Sequence, residues 1–377
     1  MLPKITHQEL PDFIDLCVKT GDNLLIVGEP GIGKTVGIVE YAKENGFGLQ
    51  LAHPAVEDPT DIKGYPAKAT RVVTPEQDAL DCMLNGEEPA KPVTQDIATF
   101  LPFGNMLKIM DAREPMFWFI DDFGQSPYSL QAGYMQFLGS RELCGNRIPD
   151  CVHIIAATNG REHKAGVKGL LEPVKSRFGY IVELVPDQDS FRDYWFKKQL
   201  PHVVTDFLNY TPGALCDFKP NVGMEKSPCP RLWEKLGKAL QLVISLQTQG
   251  AGNPTFVEKM CVSAVGEEYG RQFYAFLKLY AKLPRYEEVV ADPEDFPIDH
   301  TLDIRYAMLG MLANKGELRH SKQLFTYIEK LKKEYQVIFM RTLAAMKSPL
   351  VKSKEARTWV ASNPQIYLTA IEHGESF

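Results

Sequence analysis

No Cys-x-x-Cys pair occurs among the seven cysteines, at positions 17, 82, 144, 151, 216, 229 and 261. That spacing argues against a structural zinc site or a disulfide lattice, and reduced thiols in a cytosol are the expectation. Long apolar runs are also missing: stretches such as Met116–Ile120 hold only a handful of residues, whereas a bilayer-spanning helix needs about 20. The opening MLPKITHQELPDF carries acids and prolines where a secretory signal needs an apolar core, so no membrane span and no export are expected, and the protein reads as cytoplasmic. Positive charge is in short supply. Lysine plus arginine number 42 against 48 acids, a net charge of −6, with no basic block long enough for a nucleic-acid arm, so tight, sequence-blind nucleic-acid binding is not expected. Internal repeats and low-complexity tracts are absent as well.

What is present is an ordinary globular composition, 44% hydrophobic and 24% charged over 377 residues, enough for two to three domains at about 150 residues each. From Asp22 the chain runs through an aliphatic stretch, breaks at G-E-P-G-I-G-K-T, and resumes with a helix-compatible segment from Val36 to Asn45 that ends at Gly46. A second apolar run, Leu49 to Ala52, leads into a loop rich in proline and acid, and residues 66–96 are polar and proline-punctuated, as in an insertion. M-F-W-F-I-D-D, H-I-I-A-A-T-N and Y-I-V-E-L-V lack polar alternation, which is the pattern of strands buried on both faces of a parallel sheet. An α/β layered domain over residues 1–188 follows, with five strands. After Pro186 the apolar period becomes helical. Leu232, Leu236, Leu240 and Val243 form one stripe, and Leu324, Ile328, Leu331, Tyr335 and Ile338 form another, each expected to be the core face of a helix.

The segment Gly28-Glu29-Pro30-Gly31-Ile32-Gly33-Lys34-Thr35 fits G-x-x-x-x-G-K-[ST] in full, between a predicted strand and a predicted helix. Its glycines let backbone N–H groups curl around a phosphate, Lys34 reaches the β and γ phosphates of a nucleotide, and the Thr35 hydroxyl suits Mg²⁺. Asp121 and Asp122 close a buried strand and supply carboxylates for that site. Asp121 is assigned to the Mg²⁺ through its water shell and Asp122 to polarising the attacking water; the alternative for the pair is a helix cap and a loop charge. Asn159, at the tip of another strand, is placed to hold the same water, or else it merely starts the turn with Gly160.

In order along the chain, the P-loop, the Asp121-Asp122 strand, the Asn159 strand tip and V-K-S-R-F resemble the motifs of AAA+ ATPases. D-P-T-D-I-K-G-Y-P and C-P-R-L-W-E-K-L look most like the MoxR-type branch. The resemblance covers residues 5–285. It implies an AAA+ nucleotide-binding core over 1–188 with the insertion at 66–96, a helical lid over 189–285 and a helical C-terminal extension over 286–377. It also implies ATP and Mg²⁺ as ligands, and makes Asn159 a first sensor, Arg177 an arginine finger acting on a neighbour's nucleotide, and Arg231 a second sensor at the start of a lid helix. A surface salt bridge is the alternative for Arg177, and Arg141 is the runner-up for the finger. One departure is the Asp121-Asp122 pair, where the family usually has Asp-Glu; a shorter side chain beside the water implies slower hydrolysis. Tyr65 is read as a turn residue packed on the sheet edge, in preference to a pore-facing aromatic. His53 is read as simply hydrogen-bonded, and Lys330, Lys332 and Lys333 as a solvated helix face.

The resemblance implies an ATP-hydrolysing ring, a homo-oligomer and by analogy a hexamer, that remodels or activates a protein client. Relatives of this kind often work with a partner carrying a von Willebrand factor A domain. The alternatives are an AAA+ motor subunit acting on nucleic acid and a nucleotide-gated scaffold that hardly turns over.

Overall fold

Four aliphatic residues, Leu24-Leu25-Ile26-Val27, form a strand whose first three side chains are buried. In the computed structural model the described residues are 2–73, 93–102, 104–143, 146–160, 169–219, 224–247, 253–299 and 301–364. In chain order the strands are β1 (Lys4–Ile5), β2 (Leu24–Val27), β3 (Gly48–Ala52), β4 (Tyr65–Val73), β5 (Val93–Leu101), β6 (Met116–Ile120), β7 (Glu142–Leu143), β8 (Asn146–Arg147), β9 (Val152–Thr158) and β10 (Tyr180–Leu184). Six of them make one sheet in the order β1-β10-β2-β9-β6-β3, and every pairing within it is parallel. The fold is α/β with a parallel sheet and a helical C-terminal part. It has one strand more than the five expected from sequence. The extra strand, β1, has two residues of which only Ile5 is buried, too little to register as an apolar run.

The chain divides into two compact units, one of residues 1–5, 9–28 and 34–184 and the other of 6–8, 29–33 and 185–377. In the first unit, Phe117, Trp118, Phe119 and Ile120 are at most 1% exposed, and each such side chain contributes about 2–3 kcal/mol of burial. Trp118 packs edge-on to Phe137 and tilted on Tyr134, both on the helix Tyr128–Ser140. This packing fixes where β6 ends and so where Asp121 begins. Because β2 lies between β10 and β9 while its sequence successor β3 lies at the far edge, the sheet has its topological switch point at β2. Ligands of open α/β sheets bind beside the carboxyl ends of strands at such a point.

The segment read as an insertion, residues 66–96, proves to be partly a two-stranded antiparallel ribbon, β4 with β5, running from the Tyr65–Leu101 pair to Val73–Val93; residues 74–92 lie outside the described ones, as do Cys82 and Cys144. Tyr65 opens the ribbon and is 58% exposed. His53 is exposed, and its backbone N–H donates to Glu57.

The second unit is helical. One core gathers Trp195, Phe207, Trp233, Leu236, Leu240 and Phe273, with Leu232 and Val243 packed against it. Another holds Leu312, Leu324, Ile328, Leu331, Tyr335 and Phe339, with Ile338 beside it. The second stripe is therefore buried as expected, but it belongs to two helices, Ser321–Glu329 and Lys333–Ala345. Lys330 lies in the break. Its ammonium donates to the backbone carbonyls of Pro293, Glu294 and Phe296. Lys333 lies over the Trp359 ring and donates to Gln336. Both lysines are exposed, as read from sequence, and these contacts tie them to their neighbours.

Asp206 is 2% exposed, with Oδ2 unpartnered. It lies against Gly310, where an added Cβ would fall 2.0 Å from its Cγ. Burial pushes its carboxyl well above the usual carboxylate range, while a hydrogen bond with Tyr280 acts in the opposite sense. A raised folded-state pKa means that the folded chain binds this proton more tightly than the unfolded chain. The stability it contributes is therefore present below the unfolded value of about 3.9 and declines as pH rises. Asp206→Asn, a neutral isostere, is expected to raise the melting temperature near neutral pH, with the gain shrinking towards about pH 4. Thermal melts across that range check this; a pH-independent difference would show that Asp206 is not protonated on folding.

Candidate functional site

Each element of the site in the first unit ends a parallel strand or begins a helix at the same sheet edge. β2 exits at Gly28, whose N–H donates to the Thr158 carbonyl at the end of β9 (3.2 Å). The helix Lys34–Glu44 begins with the lysine itself. Lys34 is 7% exposed, and its ammonium donates to the Gly28 carbonyl (2.9 Å) and to Asn159 Oδ1 (2.8 Å). The Thr35 hydroxyl donates to Asp121 Oδ2 (2.7 Å), while Asp121 Oδ1 accepts from the Asp122 N–H (2.9 Å). Asn159 Nδ2 donates to Asp122 Oδ1 (3.2 Å), and so does Gln125 Nε2 (3.3 Å). Lys34, Thr35, Asp121, Asp122 and Asn159 thus form one hydrogen-bonded cluster drawn from three separate parts of the chain.

Asp122 has left-handed backbone angles, φ 52° and ψ 33°, an uncommon state for a residue other than glycine, though Asp and Asn enter it most readily. Strain of this kind concentrates at functional sites. The donor set beside it is hard oxygen: a hydroxyl and a carboxylate already within bonding distance. Mg²⁺ takes a few such protein ligands and completes its shell with water and phosphate oxygens, so Thr35 and Asp121 fit it.

Residues 29–33 belong to the second unit. Gly31 and Gly33 have φ of +81° and +104°, where a side chain would be strained. A Cβ on Gly31 would lie 2.6 Å from Cys229 Sγ, and one on Gly33 would lie 3.1 Å from His7 Nε2. The Gly31 carbonyl accepts from the Arg231 N–H (3.1 Å) in the first turn of the helix Pro230–Gln247, while the Arg231 side chain is exposed. The Glu29 carboxylate accepts from the Cys216 thiol (2.8 Å). Burial, and then Glu29, push that thiol's pKa up, which keeps it a neutral donor.

Arg177 lies in the turn after the short helix Glu172–Lys175. Its Nη1 donates to the Pro173 carbonyl. The runner-up, Arg141, donates through Nη2 to the carbonyls of Pro149 and Val152, both at 2.7 Å. Its Nε is buried without a partner, and burial lowers its pKa; this guanidinium is committed to backbone. Sequence reasoning missed Gln125, Cys216 and Cys229. It also missed Asn23, whose side chain donates to the carbonyls of Leu138 and Arg177, both at 2.9 Å. Only the polar residue opening an aliphatic strand signals Asn23.

No protein-family model matches the chain, and no curated protein matches its sequence. Solved structures do align with it. Thermotoga maritima RuvB, a Holliday junction branch migration motor, is 12% identical over 77% of this chain and 75% of that one, with a TM-score of 0.36. NtrX from Brucella abortus is 13% identical over 90% of this chain and 67% of that one, with a TM-score of 0.37. In complex with ADP the same protein gives 12%, 94%, 67% and 0.32. Similarity at this level transfers no residue role.

Proposed function

We propose that the chain is a Mg²⁺-dependent ATPase of the AAA+ class that works as a homo-oligomeric ring, a hexamer by analogy, and remodels or activates a protein partner in the manner of MoxR-type proteins. A client carrying a von Willebrand factor A domain is the partner this reading favours. The observation that carries it is the buried Lys34 ammonium, held between the Gly28 carbonyl and Asn159 at the carboxyl edge of the sheet, beside the Thr35–Asp121 bond. A nucleic-acid track is not favoured, because Lys330 and Lys333, in the basic cluster, are engaged with backbone carbonyls, Gln336 and the Trp359 ring.

In this reading the glycine loop, Gly28 to Gly33, wraps the phosphates with backbone N–H groups, and Lys34 exchanges its carbonyl and amide partners for β and γ phosphate oxygens. Thr35 and Asp121 hold Mg²⁺. Held there, Mg²⁺ would supply positive charge against the charge that develops on the phosphates. Asp122 orients the attacking water and takes its proton, and Asn159, bonded to both Lys34 and Asp122, keeps base and ammonium in fixed relation. Arg177 meets the neighbour's nucleotide, and Arg231 reports nucleotide state to the helix it begins.

Steady-state phosphate release tests the assignment. Asp122→Asn is expected to bind Mg²⁺-ATP within a few-fold of the unaltered chain while turnover falls about 10²- to 10⁴-fold. Asparagine tolerates the left-handed backbone, so the fold is preserved. Undiminished turnover would move the base elsewhere, and negligible release by the unaltered chain would favour the nucleotide-gated scaffold.

A further inference from the structure

Arg177 reaches its place over a glycine. Gly139 is the penultimate residue of the helix Tyr128–Ser140, and an added Cβ there would lie 2.8 Å from Arg177 Nε, 3.3 Å from Cδ and 3.8 Å from Cγ. The middle of the arginine side chain therefore lies directly on the helix backbone. Its own backbone is tied to the same helix end, because Asn23 Nδ2 bonds the carbonyls of both Leu138 and Arg177. Asn23 is 7% exposed, and its carbonyl accepts from the Gly179 N–H (3.0 Å), two residues beyond Arg177. One amide thus sets the arginine's backbone, and one missing methyl sets the course of its side chain.

We propose that Gly139 and Asn23 are positioning residues for Arg177, fixing the direction in which its guanidinium is presented to the nucleotide of a neighbouring subunit; this rests on the finger role given to Arg177 above. Gly139 needs no left-handed backbone, since its φ lies outside the range reserved for glycine. A helix requires nothing else of it, and alanine there would strengthen the helix. The atoms a methyl would meet belong to the flexible stem of one side chain, so the least costly relief is movement of Arg177.

The test is Gly139→Ala in the full chain, beside Arg177→Ala. The melting temperature is expected to hold or rise by a few degrees, since alanine favours the helix. Turnover is expected to fall about 10²-fold, the usual effect of a roughly 1 Å misplacement, with KM for ATP within about threefold of the unaltered chain. A structural defect would not produce that combination. Co-assembly of Gly139→Ala with Asp122→Asn protomers is expected to restore part of the turnover, because some interfaces then pair an undisturbed Arg177 with an intact Asp122. Normal turnover in Gly139→Ala alongside a dead Arg177→Ala would overturn the proposal and leave the finger standing. So would a lowered melting temperature, which would mean that the backbone and not Arg177 had moved, or an absence of restoration in confirmed mixed assemblies. Normal turnover in Arg177→Ala itself would remove the finger role and this proposal with it.

Discussion

Lys34→Ala is expected to weaken ATP binding by at least 30-fold and as much as several thousand-fold. Truncating one partner of a buried, hydrogen-bonded charge contact costs about 2–5 kcal/mol. The loop from Gly28 to Gly33 offers backbone donors but no cationic side chain of its own, so the ammonium carries the charge complementarity to the phosphates. The substitution also acts on the protein without nucleotide. Asn159 Oδ1 loses the donor it has at 2.8 Å, and a buried acceptor left unsatisfied costs about 1–3 kcal/mol. The variant should therefore melt lower as well as bind more weakly. Titration calorimetry with ATP and Mg²⁺, together with thermal melts, separates the two effects. An undiminished ATP affinity would remove Lys34 from the phosphate site.

The ring itself is tested by Arg177→Ala, which is expected to lower turnover by about 10³- to 10⁵-fold, the range for an arginine finger. In the proposed reading Lys34, Thr35 and Asp121 would meet the phosphates from one side, so charge on the open side would have to be met by another group, which the proposed ring would supply from a neighbour. Arg177→Ala and Asp122→Asn protomers should each be nearly inactive alone. Mixed, they should recover part of the turnover, because some interfaces combine an intact finger with an intact carboxylate. Co-assembly is confirmed by differential tagging, and phosphate release is measured at several mixing ratios. Mixtures no faster than either parent would mean that the arginine acts within its own subunit or not at all.

The strands that end at the site were legible because nothing in them is ambiguous. Leu24–Val27 and Met116–Ile120 are continuous apolar runs, and Val152–Thr158 holds the run Ile154–Ala157; they are followed by Gly28, Asp121 and Asn159, and burial on both faces removes the polar alternation that would suggest another architecture. The ribbon of β4 and β5 reads in the sequence only as a polar, proline-punctuated insertion, for the opposite reason. With Val72, Ile97, Phe100 and Leu101 all exposed, neither face is buried, so no two-residue hydrophobic period marks the strands. The break between Ser321–Glu329 and Lys333–Ala345 was hidden because no glycine or proline interrupts it, and the apolar spacing carries on through Leu331. The contacts of Lys330 could not be read, since its carbonyl partners are 34 to 37 residues upstream. The same holds for Arg141, whose role depends on where two carbonyl groups fall in space, and for Gly139, whose importance lies in a side chain 38 positions later that only folding brings to it.

The central place of β2 also governs how the chain can be made. Residues 24–27 find their sheet partners at 155–158 and 180–183, so an aliphatic strand leaves the ribosome about 150 residues before its second neighbour does. At roughly 5–20 residues per second this is an interval of about 8–30 s. Through it the nascent Leu24–Val27 has at least one unfilled edge, the condition under which strands pair with the wrong chain. A chain stalled between Lys34 and Leu184 displays the whole glycine loop and its lysine, but with no finished sheet to hold them.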